Sequence, residues 1–310
     1  MAPRISVIIP VWNRQDLIEK CLNSVLKQSV RPFELIVVDN KSADDTFLRV
    51  KKWMELHADS GINFKLLSQQ KKGACPTRQK GLENASGEYV FFFDSDDQML
   101  PSLLENAVSK IEENPSVDIV CWKCRINLLD GTLKVPPVIM DKPLESHLIH
   151  TLLRPQGYLV KREFLLNAGG WSKQIKVWND FELGLRLLLK NPEIIFINKI
   201  LAEIYSQEES ITGKDFSSKE GEWETTIDEM EKMADSSRHP QSDKIKKILN
   251  YRRAILAAHY YREHNYKGAK NLVNKAFQNS SVMERFLLKF SYHFTRKGLR
   301  GVWRIVGNFY

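Results

Sequence analysis

The sequence predicts an α/β fold with a doubly wound, mostly parallel sheet, because strand-like and helix-like segments alternate along its first third. Strands are expected at short apolar runs, and helices where apolar residues recur every three or four positions. The expected strands are 5–10, 34–38, 62–68, 88–93 and 117–122, and the expected helices are 16–28, 44–57, 76–85 and 101–113. A β-α-β-α series of this kind favours parallel strands covered by helices.

The pattern changes after about residue 128. Asp130-Gly131 between strand-like residues indicates a hairpin. Further helices are expected at 144–153 and 181–190, and short strands at 194–197 and 202–205. Beyond residue 214 the pattern is helical only, in segments 219–236, 242–263, 266–278 and 282–306. We therefore expect an α/β domain at 1–213 and a helical region at 214–310.

Composition places the chain among soluble globular proteins, with 43% hydrophobic and 27% charged residues. No segment approaches the run of ~20 apolar residues that a transmembrane helix requires, and the N-terminus does not resemble a signal peptide. A cytoplasmic location is expected. Cys121 and Cys124 have metal-ligand spacing, but nothing nearby completes a zinc site, so reduced and packed cysteines are expected.

Positive charge is concentrated at the C-terminal end, where residues 241–310 hold 15 Lys and Arg against 3 Asp and Glu. The preceding residues are net acidic. The last predicted helix mixes aromatic and basic residues, which is typical of helices that lie on anionic membranes. A location at the inner face of the membrane would fit that pattern. The alternative is a helix packed on its own core with a solvated basic face. No nucleic-acid motif accompanies the charge, so nucleic-acid binding is not expected.

Carboxylates crowd the end of the strand at 88–93, in Asp94-Ser95-Asp96-Asp97. In open α/β sheets ligands bind at the carboxyl ends of the strands. Like charges this close repel unless a cation joins them, and oxygen ligands suit Mg²⁺ or Mn²⁺. Such an ion could stabilise a diphosphate as a leaving group. The alternative is a solvated acidic turn before the next helix.

Three further side chains are candidates on their position alone. Asp39 ends the second strand, where it can accept from a base or a ribose hydroxyl, or cap the following turn. Arg78 opens a helix after a glycine-bounded loop, and can donate to a base or phosphate or lie on the surface. Asp180 precedes an apolar helix, where it can cap the helix or act as a general base.

Four ordered segments together resemble the family 2 inverting glycosyltransferases, which have the nucleotide-sugar-binding GT-A fold. They are SVIIPVWN (6–13), VVDNKSADDT (37–46), GACPTRQKGLENASGEYVFFFDSDD (73–97) and GGWSKQIKVWNDFELGLRL (169–187). The resemblance implies transfer of a sugar from a nucleotide diphosphate, with uridine the expected nucleoside, to a glycan or lipid-linked acceptor. Cell-surface polysaccharide or glycoconjugate synthesis is the expected context, with a divalent metal as cofactor.

The resemblance also implies roles for individual residues. Asp96 would bind the metal, and Asp180 would be the general base, with Trp178 and Asn179 beside it on the acceptor side. The residues expected beside the nucleotide are Pro10, Trp12, Asn13, Asp39, Arg78, Asp94 and Ser95.

Two departures from the family pattern leave other classes of protein open. Asn179 stands where the family carries glutamate, and segment 205–212 lacks the histidine found in many relatives, with Glu208 as a possible substitute. A non-catalytic nucleotide-sugar-binding or scaffold protein is one alternative, although Asp94, Asp96 and Asp180 argue against it. A nucleotidyltransferase is another, although segment 10–16 lacks the glycine expected in its phosphate loop.

Overall fold

The computed structural model describes residues 4–207, 215–278, 280–299 and 301–309. The chain forms two compact units, the first from residues 1–146 and 150–208, the second from residues 147–149 and 209–310. The first unit contains the sheet, and the second is helical.

The strands are β1 (Ile5–Val11), β2 (Glu34–Asp39), β3 (Asn63–Ser68), β4 (Tyr89–Phe92), β5 (Gln98–Met99), β6 (Ile119–Asn127), β7 (Leu133–Lys134), β8 (Tyr158–Lys161) and β9 (Ile194–Tyr205). The helices up to residue 207 are α1 (Ile18–Leu26), α2 (Thr46–Leu56), α3 (Ala74–Asn84), α4 (Leu103–Glu113), α5 (Pro143–His150), α6 (Arg162–Asn167) and α7 (Asn179–Leu188).

The sheet is mixed, with strand order β3-β2-β1-β4-β8-β6-β9-β5 and β7 paired to β6. The first four strands in this order are parallel, as the β-α-β pattern predicts. β8 then runs antiparallel to both β4 and β6, and β9 returns parallel to β6. The α/β fold class is confirmed, and the parallel part of the sheet is the part that alternates with helices.

Close packing of α3 on the sheet depends on Gly81. A Cβ atom built on Gly81 would lie 2.3 Å from Cγ2 of Ile8 in β1, which is closer than real atoms approach. Apolar residues of the central strands, such as Val7, Ile9 and Phe91, are fully buried on the sheet. A rigid sheet therefore fixes the strand ends where the polar residues lie.

The second unit contains α8 (Glu222–Ser237), α9 (Ser242–Arg262), α10 (Tyr266–Gln278), α11 (Val282–Arg296) and α12 (Trp303–Val306). Its core includes Tyr251 and Ala254 of α9, Ala276 of α10, and Leu287 and Leu288 of α11. The continuous helix expected at 282–306 was wrong. The chain leaves α11 at Arg296, and Gly298 and Gly301 both have positive φ, a conformation that glycine adopts without steric cost.

No helix in the described ranges is long and apolar enough to cross a membrane. All four cysteines are free and buried, so the prediction of reduced, packed cysteines is confirmed.

Candidate functional site

The ends of β1 and β2 lie side by side and create one polar corner of the site. Val11 and Asp39 are register partners in the parallel pair. Beyond them, Asn13 takes a left-handed conformation with φ 49°, which asparagine tolerates better than most residues. Its backbone N–H donates to Ser42 Oγ at 2.9 Å, and its Oδ1 accepts from the N–H of Ala43 at 2.8 Å. The two loops are therefore tied together.

The two carboxylate oxygens of Asp39 have different environments. Its Oδ2 accepts from the backbone N–H of Ser42 at 3.1 Å, which matches the turn-capping role. Its Oδ1 is buried and has no hydrogen-bond partner among the described residues. A buried polar atom of this kind normally has a partner. This oxygen is thus available to a donor group on a ligand.

Asn40 joins the same corner to the loop before α3. Its amide donates to the carbonyl oxygens of Gln69 and Lys71 at 3.0 and 2.8 Å, and its Oδ1 accepts from the N–H of Gly73 at 2.8 Å. One side chain therefore satisfies three backbone groups of an irregular loop. That loop leads into α3, which carries Arg78.

Arg78 is buried and bridges two candidate residues from distant parts of the sequence. Its guanidinium donates to Asp94 Oδ1 at 2.7 Å and to Asn179 Oδ1 at 3.2 Å. It also lies 4.8 Å from the centre of the Trp171 ring, a cation–π distance. Burial alone would lower the pKa of Arg78, but Asp94 raises it overall. The alternative of a surface arginine is wrong.

The acidic strand end is held by Gln156, which the sequence analysis did not single out. The Nε2 atom of Gln156 donates to Asp94 Oδ2 at 2.7 Å and to Asp97 Oδ2 at 2.6 Å. The other oxygen of Asp97 accepts from the backbone N–H of Tyr205 at 2.9 Å. Burial raises the pKa of Asp97 well above its usual value, and repulsion from Asp94 and Asp96 adds to the effect.

Asp96 has a different environment from its two neighbours. Its carboxylate lies 3.4 Å from Nε of Arg14, a second residue that the sequence analysis did not single out. Burial and then repulsion from Asp94 raise the pKa of Asp96, although Arg14 opposes this. Ser95, between the two aspartates, is buried. Asp96 is therefore the carboxylate of the three that is least engaged by protein donors.

The carboxylates at the acidic strand end could hold a divalent metal only together with further ligands. Across the part of the chain that the structure describes, no group of three His, Cys, Asp or Glu side chains is arranged to hold a metal ion. Mg²⁺ is commonly held by one or two carboxylates together with substrate phosphates. Asp96 fits such a role, because a cation beside it would offset both the burial and the repulsion from Asp94 that raise its pKa. Glu208 lies outside the described residues.

Asp180 lies in the first turn of α7, next to the residue that Arg78 contacts. The residue preceding the helix is Trp178, not Asp180, so the capping alternative for Asp180 was wrong. Trp178 has φ 50°, which is unusual for a bulky side chain. Burial raises the pKa of Asp180, while the positive charge of Arg78 opposes the rise. A carboxylate with a raised pKa is suited to accept a proton.

Two of the expected site residues stay apart from these networks. Trp12 follows β1 with its side chain 45% exposed. Pro10 lies within β1, where its backbone is in register with Val38. Five of the other candidates lie at two corners: Asn13 and Asp39 both contact Ser42 at one, and Arg78 contacts Asp94 and Asn179 at the other. Arg14, which follows Asn13 and contacts Asp96, connects the two corners.

Similar solved structures identify the class of fold. TarS residues 1–349 from S. aureus, in complex with UDP-GlcNAc, aligns with a TM-score of 0.71 at 21% identity, over 96% of this chain and 92% of that one. The mannosyltransferase PcManGT from Pyrobaculum calidifontis, in complex with GDP-Man and Mn²⁺, aligns with a TM-score of 0.58 at 20% identity, over 96% and 84% of the two chains. The fold is that of the GT-A glycosyltransferases.

Sequence comparison identifies the family. Residues 6–157 match the model of glycosyl transferase family 2. A GalNAc(5)-diNAcBac-PP-undecaprenol β-1,3-glucosyltransferase of Campylobacter jejuni is 38% identical over 111 residues, which cover 36% of this chain and 35% of the relative. The chain belongs to glycosyl transferase family 2. It spans only 15% to 63% of the length of the first four curated relatives it matches.

Proposed function

We propose that the protein transfers a sugar, with inversion, from a uridine diphosphate sugar to a hydroxyl of a lipid-linked acceptor. The observation that carries this proposal is the Arg78 bridge, which joins the acidic strand end at Asp94 to the start of α7 at Asn179. An inverting transfer needs a donor site and a base on opposite sides of one reacting carbon. The bridge brings candidate residues for both into one site.

The nucleoside would lie at the corner formed by the ends of β1 and β2. A uracil N–H or a ribose hydroxyl could donate to the unpartnered Oδ1 of Asp39. Trp12 exposes an aromatic ring beside this corner, on which a base could stack. Support for uridine comes from the TarS structure, which is a complex with UDP-GlcNAc.

Asp96 would hold a divalent ion together with the donor diphosphate. When bound, such an ion neutralises the charge that develops on the leaving diphosphate. Arg14, which contacts Asp96, would then be close enough to the diphosphate to add a second positive charge. This is supported by the raised pKa of Asp96, which is buried beside the negative charge of Asp94, and by the Mn²⁺ in the PcManGT complex.

Asp180 would take the proton from the acceptor hydroxyl as that oxygen attacks the sugar. Burial raises the pKa of its carboxylate, which suits it to accept a proton, while the positive charge of Arg78 opposes that rise. Asn179 stands where the family pattern has glutamate, and it accepts a hydrogen bond from Arg78. Because an amide is uncharged, Asn179 does not neutralise the positive charge of Arg78 as a glutamate would. Trp178 would contact the acceptor.

The name of the Campylobacter jejuni relative supports a lipid-linked acceptor, since that enzyme acts on a diphosphoundecaprenol-linked glycan. An acceptor of this kind lies at a membrane surface, so the protein would work as a peripheral membrane protein in cell-surface polysaccharide or glycoconjugate synthesis. A basic C-terminal region suits that position.

Calorimetric titration of UDP and of GDP, each with Mn²⁺ and with EDTA, tests the donor site. We expect UDP to bind with Mn²⁺, to bind at least about tenfold more weakly in EDTA, and to lose the Mn²⁺ effect in Asp96→Ala. Asp59→Ala, at an exposed position in the short 3-10 helix Ala58–Ser60, is the matched control and should bind as the wild type does. Tight GDP binding would redirect the donor to guanosine. Failure of both nucleotides to bind would refute the proposal in favour of a scaffold role.

A further inference from the structure

Helix α11 has an inner face that is packed and an outer face that is not. Leu287, Leu288, Ser291 and Thr295 are buried on the inner side, where the two leucines join the core with Tyr251 of α9. On the outer side Val282, Met283 and Phe286 are 86%, 61% and 65% exposed, and Phe290 is also exposed. Because the packed core already accounts for the inner face, the outer apolar residues need another explanation.

The outer apolar residues follow helical spacing. Val282, Phe286 and Phe290 are four residues apart, and Met283 lies beside them, so they form one stripe along the helix. Large apolar side chains exposed in a row, and not singly, mark an interaction surface.

Basic residues border this stripe. Arg285 and Lys289 of α11 are exposed, and so is Lys297, which directly follows the helix. Arg285 Nε donates to the carbonyl oxygen of Phe277 at 3.2 Å, and Lys289 lies 5.7 Å from the centre of the Phe277 ring. Both side chains are therefore held along one edge of the stripe. We call Val282, Met283, Phe286 and Phe290, with Arg285, Lys289 and Lys297, the α11 outer face.

The one acidic side chain of α11 is engaged by other residues of the protein. The sequence of α11 contains one acidic residue, Glu284. Its carboxylate is only partly exposed, pairs with Lys247 of α9 at 2.9 Å, and accepts from the backbone N–H of Ser281 at 2.7 Å. The outer face therefore presents apolar and positive groups together.

We propose that the α11 outer face docks on the surface of an anionic phospholipid bilayer, with the helix lying in the plane of the interface. Apolar side chains enter the boundary between headgroups and acyl chains, while the bordering Arg and Lys remain at the level of the lipid phosphates. Charge complementarity selects this partner, because residues 241–310 carry 15 Lys and Arg against 3 Asp and Glu. The proposal deepens the lipid-linked acceptor of the proposed function, but binding itself needs neither donor nor acceptor.

The test is sedimentation of the full-length protein with vesicles of phosphatidylglycerol and phosphatidylcholine, and with vesicles of phosphatidylcholine alone. We expect binding only to the anionic vesicles, and release when salt is raised to roughly 1 M, where screening is nearly complete. Phe286→Ser should reduce the partition coefficient by about tenfold, because it removes one inserted aromatic side chain. Lys289→Gln combined with Lys297→Gln should reduce it by about tenfold as well.

Two control variants remove an exposed apolar side chain or two exposed positive charges elsewhere in the chain. Leu56→Ser removes an apolar side chain that is more exposed than Phe286, and Lys51→Gln with Lys52→Gln removes two exposed charges on α2. Both should bind vesicles as the wild type does. The proposal would be overturned if the control variants lost as much vesicle binding as the test variants. It would also be overturned if the wild type bound neutral vesicles as well as anionic ones.

Two further measurements separate this inference from its rivals. Loss of self-association in Phe286→Ser, measured by sedimentation without lipid, would assign the face to a second copy of the chain and overturn the proposal. UDP binding is measured on the same samples. Intact nucleotide binding without vesicle binding would refute the membrane surface alone, whereas vesicle binding without nucleotide binding would refute the proposed donor site alone.

Discussion

Arg78 makes contacts that a lysine could not reproduce. Its planar guanidinium donates to Asp94 and Asn179 from two different nitrogens while its flat face lies on Trp171. A lysine ammonium is a point charge that would satisfy one partner and leave the others without a donor. Nε of Arg78 is buried and has no partner among the described residues. The site therefore keeps one donor available on its central cation.

Asp180→Asn tests the proposed base without changing the size of the side chain. We expect kcat to fall by about 10²–10⁴, because the amide cannot accept the proton of the acceptor hydroxyl. Binding of the UDP-sugar should change by less than about twofold, since the substitution leaves the nucleotide corner intact. Steady-state kinetics and calorimetry measure the two effects. Undiminished transfer by this variant would rule out Asp180 as the base.

Gln156→Leu tests the support of the acidic strand end. The substitution removes the N–H groups that bridge Asp94 and Asp97, and leaves buried carboxylate oxygens without donors. We expect the free energy of unfolding in EDTA to fall by about 1–3 kcal/mol. Urea denaturation measures this, with Gln70→Leu on an exposed loop as control. An unchanged stability would mean that the amide bridge contributes nothing.

Site residues at the ends of secondary structures were predictable, and residues that act through tertiary contacts were not. Asp39 and Asp94 follow apolar runs, and Asp180 begins an apolar helix, so sequence position marks them. Gln156 has no such signal, because its partners lie about 60 residues away and only folding brings them together. Arg14 had a weak signal, since it directly follows the Asn13 segment.

At the scale of secondary structure, Glu34 joins four parts of the sheet unit. Its fully buried carboxylate, at the start of β2, accepts from Ser6 of β1 at 2.5 Å, Lys65 of β3 at 2.6 Å and the backbone N–H of Ser86 at 2.6 Å. Burial alone would raise the pKa of Glu34, but these hydrogen bonds lower it to about 2. The charged form is therefore the one that stabilises the fold.

Glu34→Gln should destabilise the protein in a pH-dependent way. The ordinary pKa of a glutamate is 4.5, and the pKa of Glu34 in the folded wild type is about 2. The stability that Glu34 contributes is therefore fully present above pH 4.5 and is lost as the pH falls toward 2. We expect the variant to be about 2–3 kcal/mol less stable at neutral pH, with the difference shrinking below about pH 4.5. Denaturation at several pH values measures it. Glu88→Gln, which is exposed, is the control; a pH-independent difference would contradict the charge argument.

Elements with strong local patterns were predicted, and short elements that depend on pairing were missed. β1, β2 and β4 lie where continuous apolar runs predict them. β8 was missed because Tyr158–Lys161 is only four residues long and is fixed by pairing with β4 and β6. β9 was predicted as two strands because Asn198 and Lys199 interrupt its apolar pattern, whereas the structure continues through them with shifts in register against β6.

At the scale of the whole molecule, all four cysteines lie in the sheet unit and none is on its surface. Burial raises the pKa of Cys75 to about 11, and those of Cys121 and Cys124 to about 12. Burial also raises the pKa of Cys21 well above its usual value, and the acidic strand end adds to this. Since the thiolate is the reactive form, the native unit should be inert to thiol reagents.

Thiol labelling should therefore report opening of the sheet unit. We expect no cysteine to react at its unfolded rate in the native protein at neutral pH, and all four to react together in urea. UDP with Mn²⁺ should slow labelling further, since a ligand that binds only the folded state reduces the open population. Mass spectrometry counts the labels. A native cysteine that reacts at its unfolded rate would contradict the packing described above.

The crowded carboxylates at the strand end imply a trade-off between thermal stability and catalytic activity. Burial raises the pKa values of Asp96 and Asp97, and repulsion from the neighbouring carboxylates adds to the effect, so folding disfavours their charged forms. A screen of random variants for heat resistance should therefore recover neutral replacements at these positions early, and these variants should also lose catalytic turnover. Laboratory evolution without selection for transfer would remove the site before it altered the sheet that supports it.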